Sequence, residues 1–150
     1  MTEYDLSDSS ESPEVTEAGA MHGRVLAAPI LRFDLQVELE GLRRQPGYDA
    51  GKPTGKTLVK EPDLRIVLIA LRDGAGLEEH QASGPISVQV IEGKITLRVM
   101  NARVDLTAGE IVALEAGVRH DVEAAGDAAF LLTIGRTTYE HVSDRHEPRF

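Results

Sequence analysis

The sequence predicts a small all-β domain, an antiparallel sandwich or barrel, preceded by one short helix. Short runs of apolar residues alternate with polar ones, and turn residues separate these runs about every ten residues. No helical pattern lies between the runs. The chain is 41% hydrophobic but only 4% aromatic, with no Trp. A core of Val, Ile, Leu and Ala is therefore expected, and these residues suit a pleated sheet.

Length and charge limit the classes of function. A chain of 150 residues accommodates one domain with a real core. The net charge is −9, and residues 1–20 carry six acidic and no basic side chains. Because no basic patch stands out, we expect neither a nucleic-acid nor a membrane partner. The absence of Cys excludes disulfides, thiolate zinc sites and Cys nucleophiles. Without a signal peptide or an apolar run of about 20 residues, a cytoplasmic protein is expected.

Composition divides the chain into four segments. Residues 1–30 form an acidic segment too polar to offset its ordering entropy, and we expect it to be disordered. Residues 31–56 form a helix and a linker, and residues 57–136 form the β-barrel. Residues 137–150 form a polar C-terminal tail.

The helix is predicted over Phe33–Arg44. Asp34 is a suitable N-cap, and an apolar stripe recurs at helical spacing. The stripe consists of Leu35, Leu39 and Leu42. Pro46 and Gly47 are expected to end the helix, and a polar linker, 48–56, follows.

The first long strand is predicted at 65–71, a nearly continuous apolar run that suits burial on both faces. Its second face needs cover from the N-terminal helix or from a second subunit, and we expect a homodimer. Later strands alternate, and their inward residues are expected to line the barrel; these are Ile86, Val88, Ile95, Leu97 and Val122. Gly93 between two such runs predicts a tight hairpin.

A phosphate-loop motif is suggested by Gly51, Gly55 and Lys56 but fails on two counts. Only three residues separate the glycines where the motif needs four, and a β-like segment follows where a helix is required. We therefore expect no nucleotide site here.

Two histidines are the candidate functional residues. His120 alternates in phase with Val122, so its imidazole is expected to face inward, and His80 precedes the strand that begins at Ile86. Two imidazoles from different strands can hold a divalent metal or a small ligand. For a single histidine, partial burial with a hydrogen bond to a backbone carbonyl is commoner than binding of a metal or a ligand. His22, His141 and His146 lie in polar terminal regions and are not candidates.

The span from about Leu64 to Gly135 resembles the cupin family, in which two motifs carry metal ligands. The first motif aligns with His80, Ala82, Ile86 and Gly93, and the second with Gly109, the 115–117 turn and His120. The resemblance implies a double-stranded β-helix, the jelly-roll barrel. It also implies a site made of three histidines and one glutamate, and here Ala82 and Ile86 replace two of those ligands.

This pattern predicts a cupin barrel with a degenerate metal site, which binds a small molecule or has an accessory role. The cofactor is expected to be absent, or a weakly held Zn, Fe, Mn or Ni ion on His80 and His120. Glu79 and Gln81 are further candidate ligand-binding residues. The alternative is a metal-assisted oxygenase, isomerase or hydrolase, and a third possibility is a dimerisation module.

Overall fold

The structure, a computed structural model, describes residues 29–136. In this part of the chain two short helices precede nine strands. The elements are α1 (Leu35–Arg43), α2 (Pro46–Asp49), β1 (Thr54–Glu61), β2 (Leu64–Leu71), β3 (Gly76–His80), β4 (Ile86–Glu92), β5 (Lys94–Val99), β6 (Ala102–Thr107), β7 (Ile111–Leu114), β8 (His120–Ala124) and β9 (Ala128–Gly135). The predicted C-terminal tail, 137–150, lies outside the described residues. So does the acidic segment, 1–30, for which disorder is predicted, except for Pro29 and Ile30.

The strands form two antiparallel sheets that pack face to face. The five-stranded sheet has the order β1-β2-β9-β4-β7, and the four-stranded sheet has the order β3-β8-β5-β6. Among consecutive strands, only β1–β2 and β5–β6 pair with each other, and the chain otherwise changes sheet at each turn. This is the jelly-roll arrangement, so the predicted fold class is confirmed. Between residues 29 and 136, no helix is long and apolar enough to cross a membrane.

The main core lies between the sheets and follows the alternation seen in the sequence. The residues expected to line the barrel are all buried in this core: Ile86, Val88, Ile95, Leu97 and Val122. Phe130 is its largest fully buried side chain. Because the period of a strand is two, the intervening residues lie on the outer faces of the sheets.

Helix α1 covers the outer face of the five-stranded sheet. Asp34 caps the helix, since its Oδ1 accepts hydrogen bonds from the backbone N–H groups of Gln36 (3.0 Å) and Val37 (3.3 Å). Leu39 and Leu42 form a second apolar cluster with residues of β1, β2 and β9. Strand β2 is therefore buried on both faces, as predicted. Because the chain's own helix covers the outer face of β2, burial of that face no longer requires a second subunit. The homodimer stays a prediction, but this argument no longer supports it.

The predicted polar linker is wrong at both ends. Helix α1 does end before Pro46, as predicted, but Pro46 also begins α2, because its fixed φ and missing N–H suit the first position of a helix. Tyr48 is buried in the cluster beneath α1, with the guanidinium of Arg72 5.6 Å from its ring centre. The chain then enters β1 at Thr54, within the stretch predicted as linker.

The hairpin predicted at Gly93 is also wrong. Strands β4 and β5 lie in different sheets, so Gly93 carries the chain from one sheet to the other. Its φ of 79° is favourable only for glycine. A Cβ atom here would also overlap the backbone of Asp127 and Ala128. Alternation alone could not distinguish this turn from a hairpin, because the inward residues of both strands enter the same core.

We expect Gly93→Ala to destabilise the domain more than Gly109→Ala does. Both glycines have positive φ, so each alanine costs about 1–2 kcal/mol of backbone strain. Only Gly93 adds steric overlap, which costs about 1–3 kcal/mol more. Chemical denaturation of both variants measures the difference, and equal losses in free energy of unfolding would contradict this account.

Candidate functional site

The core of the barrel is fully buried at one end, called the closed end below, and partly exposed at the other, called the open end. On β5, Leu97 is fully buried whereas Val99 is partly exposed, and on β9, Leu132 is buried whereas Ile134 is partly exposed. Leu114 at the end of β7 is partly exposed as well. In one sheet Val99 pairs with His120, and in the other Ile134 and Leu114 pair with Ile86. The short loops 81–85 and 115–119 join these two levels, so all of these residues lie at the same end. The open end is therefore lined mainly by apolar side chains.

His80 and His120 come together at this open end. His80 is the last residue of β3 and His120 the first of β8, and the two are register partners. Their ring centres are 4.3 Å apart, with the planes tilted by 58°. His120 is only 4% exposed, and His80 is partly exposed. Two strands of one sheet thus bring together the residues singled out from the sequence.

Each imidazole is oriented by its own backbone. Nδ1 of His80 lies 2.7 Å from the carbonyl oxygen of Glu78, and Nδ1 of His120 lies 3.0 Å from that of Val118. Because a carbonyl oxygen only accepts, Nδ1 carries the proton in both rings, a tautomer assigned from hydrogen bonding. In the neutral state Nε2 therefore carries a lone pair and accepts a hydrogen bond from a donor.

The local environment favours the neutral form of His120. Burial lowers its pKa below the ordinary value of 6.5, and the nearby His80 lowers it further. The carbonyl of Val118 and the carboxylate of Asp121 oppose this shift, but burial outweighs them. The neutral form is thus the one that the folded barrel prefers.

We expect His120 to reduce stability in mild acid. Below pH 6.5 the unfolded chain protonates this residue more readily than the folded chain does, so stability falls as the pH falls. Comparing the free energy of unfolding at about pH 7.5 and about pH 5.5 should show a larger loss in the wild type than in His120→Gln. A larger loss in the variant would mean that the folded state favours the protonated ring.

Glu79 and Gln81 contact Arg119 at the surface. Arg119 Nε donates to Glu79 Oε2 and Arg119 Nη1 donates to Gln81 Oε1, both at 3.3 Å. All three residues are exposed. Arg119 therefore bridges the ends of the strands that carry the two histidines. That Glu79 or Gln81 joins a bound ligand stays a prediction.

Backbone contacts brace the loops around the open end. The N–H of Gly117 donates to the carbonyl of Ala82, and the N–H of Gly135 donates to that of Pro85, each at 2.9 Å. Gly84 approaches the backbone of Gly135 so closely that a Cβ atom would overlap its carbonyl oxygen. The loop after His80 is thus fixed to both the loop before His120 and the end of β9.

The donor set does not match the family's four-ligand metal site. Ala82 is partly buried against the core and Ile86 is 5% exposed within it, so neither position supplies a donor. Within residues 29–136, no three or more His, Cys, Asp or Glu residues are grouped so as to hold a metal. The described residues therefore bring two imidazoles, where a catalytic metal typically has three protein ligands.

Arg65 is a residue of the open end that the sequence analysis missed. It pairs with Ile134 and has the same strand phase as Val67, whose side chain is in the core. It is partly buried. The signal was present in the run from Arg65 to Leu71, where Arg65 continues the inward alternation by one more position.

A shallow groove of about 430 Å³ lies on the outer face of the four-stranded sheet. Its lining includes Glu78, Arg98, Asp121 and Glu123. Arg98 forms ion pairs with Asp121 (3.0 Å) and Glu123 (3.2 Å), although the Asp121 contact lacks hydrogen-bond geometry. Since β8 alternates, this charged groove is on the opposite face of the sheet from His120.

The fold and its open end define a jelly-roll barrel with a two-histidine site. The family profile described as "Cupin domain" matches residues 67–135, which span β2 to β9 except for the start of β2. Residues 67–135 therefore form a domain of the cupin family. No curated protein matches the chain.

Solved structures agree with this assignment. A cupin 2 conserved barrel domain protein from Leptotrichia buccalis is 28% identical, with a TM-score of 0.58 over 65% of this chain and 46% of that one. An RmlC-like cupin from Shewanella frigidimarina is 21% identical, with a TM-score of 0.55 over 60% and 81%. A salicylate 1,2-dioxygenase mutant from Pseudoaminobacter salicylatoxidans, in complex with gentisate, is 16% identical, with a TM-score of 0.65 over 75% and 35%. The last two similarities show the fold alone.

Proposed function

We propose that the barrel binds a small organic molecule at its open end and that it has no metal-dependent activity of the usual cupin kind. The observation that carries the proposal is the pairing of two oriented imidazoles with partly exposed apolar side chains at one end of a closed core. Such a combination of apolar walls and a few polar groups is typical of small-molecule sites.

The imidazoles determine which polar group the ligand presents. Within the described part of the chain, the hydrogen bonds of both rings are made by Nδ1. Nε2 of the neutral ring accepts, so a hydroxyl or another donor on the ligand suits His80 and His120. The apolar part of the ligand would lie against Val99, Leu114 and Ile134. A phenol or an alcohol with a compact apolar body meets both requirements.

We expect His120→Ala and His80→Ala to weaken the binding of phenol-type ligands. The loss of one hydrogen bond of about 0.5–1.5 kcal/mol lowers affinity by about two- to tenfold. Full-length isotope-labelled protein can be titrated with phenol and 3-hydroxybenzamide while amide and methyl NMR signals of the open end are followed.

Asp121→Asn is the matched control, because it changes the adjacent residue on the opposite face of β8. Its affinity should equal that of the wild type. Unchanged affinity in both histidine variants, or binding that perturbs only signals of the outer groove, would contradict the proposed site.

A metal-assisted oxygenase, isomerase or hydrolase is the second candidate. The observation in its favour is that both Nδ1 atoms bond to carbonyl oxygens, an arrangement that also orients histidine ligands of metals. His80 and His120 would hold Zn, Fe, Mn or Ni, and the ion would polarise a bound substrate. The two missing donors at Ala82 and Ile86 are the reason for ranking it second.

Elemental analysis of tag-free protein separates these candidates. We expect metal content well below one ion per chain in both the wild type and the His80→Ala/His120→Ala variant, because two ligands hold a divalent ion weakly. Near-stoichiometric metal in the wild type that is lost in the double variant would overturn the first proposal in favour of the second.

A further inference from the structure

The charged side chains of the strands divide between the two faces of the sheets. Glu78, Asp121 and Glu123 line the outer groove, and Asp105 accepts a hydrogen bond from Thr96 on that same outer face. Glu92 binds Arg43 of α1 outside the five-stranded sheet. These carboxylates therefore lie away from the interior that contains the two histidines.

Arg65 has the opposite placement. No register shift separates β2 from β9, so the alternation that places Val67 in the core places Arg65 on the interior side as well. Lys60, its partner on β1, is on the same side of the sheet but exposed. Two basic residues thus occur together at the β1–β2 side of the open end.

The topology brings Arg65 and His80 to the same end of the barrel. Strands β2 and β3 belong to different sheets and are joined by the short turn 72–75 at the closed end. Arg65 is near the start of β2 and His80 ends β3, so both are at the open end. Within the five-stranded sheet, Ile134 pairs with Arg65 on one side and with Ile86 on the other, so all three residues lie at the open end.

We propose that the ligand is an organic anion, a small hydroxycarboxylate, and that Arg65 binds its carboxylate. This inference rests on the function proposed above and adds the chemical class of the ligand. The planar guanidinium matches a carboxylate through two parallel hydrogen bonds, and partial burial strengthens them. Arg65 has an interaction within the chain, but its five N–H donors can serve a ligand as well.

Charge complementarity gives Arg65 a role in specificity. Apart from Lys60, which is exposed and also a cation, the inward side chains of this end described above are apolar or neutral: Ile86, Val99, Leu114, Ile134 and His120. A cation in such surroundings attracts an anion that the rest of an acidic protein, with a net charge of −9, would repel. The carboxylate would lie toward β2, and the hydroxyl group would donate to the histidines on the facing sheet.

Matched pairs of probes test this assignment. Each pair consists of a carboxylate and its uncharged amide on the same body: 3-hydroxybenzoate with 3-hydroxybenzamide, and 3-hydroxybutyrate with 3-hydroxybutyramide. The full chain is titrated by NMR as wild type, Arg65→Gln, Arg65→Lys and Arg103→Gln. Arg103 is a suitable control because it is an exposed arginine on the outer face of β6, so its loss changes the net charge equally.

In the wild type, at least one carboxylate should bind at the open end about tenfold or more tightly than its amide. Arg65→Gln should remove this preference while leaving the affinity of the amide unchanged, and Arg103→Gln should retain it. Arg65→Lys should retain part of it, since the charge remains without the planar fork. This variant also serves as the test if thermal unfolding shows that Arg65→Gln does not fold.

Three outcomes would overturn the inference. Equal binding of carboxylate and amide in the wild type would remove the anion preference and leave the proposed small-molecule site standing. An unchanged preference in Arg65→Gln, or in Arg65→Lys if only that variant folds, would show that another group binds the anion. Absence of any binding at the open end by all four probes would count against both the inference and the proposed function.

Discussion

The apolar contact between the two sheets determines the position of every functional group described above. Val67, Leu97 and Val122 are buried between the sheets. These contacts fix which side of each strand faces inward. A slip of one residue in β8 would bury Asp121 in place of His120. The site therefore depends on strand register, and the register depends on burial of the aliphatic residues around it.

Apolar runs and alternation in the sequence were sufficient to predict several strands, among them β2, β4 and β5, and the inward direction of His120, since a strand with one buried face has a period of two. The sequence was also sufficient for α1, whose cap at Asp34 and stripe through Leu42 are local features. Strand alternation and the cap and stripe of the helix each depend on a few neighbouring residues only. The predictions made from them therefore agree with the structure.

Features that depend on distant parts of the chain were not predictable in the same way. The crossing at Gly93 depends on the backbone of Asp127, and the burial of Tyr48 depends on α1 and β1 folding over it. Arg65 was overlooked because the run beginning there was interpreted by its apolar residues alone. The proximity of His80 and His120 followed from the motif resemblance, whereas the hydrogen bonds that orient their rings required coordinates.

The contact between Gly84 and Gly135 has a consequence for how this barrel could diversify. The spacing between the loop after His80 and the last strand is set by backbone atoms, with no side chain between them. Substitutions at Ala82, Val99 or Leu114 could therefore change the walls of the proposed ligand site without changing the distance between this loop and β9. A larger residue at position 84 would do the reverse, since its Cβ would overlap the carbonyl oxygen of Gly135 and force the loop away from the strand, while the wall side chains stayed the same.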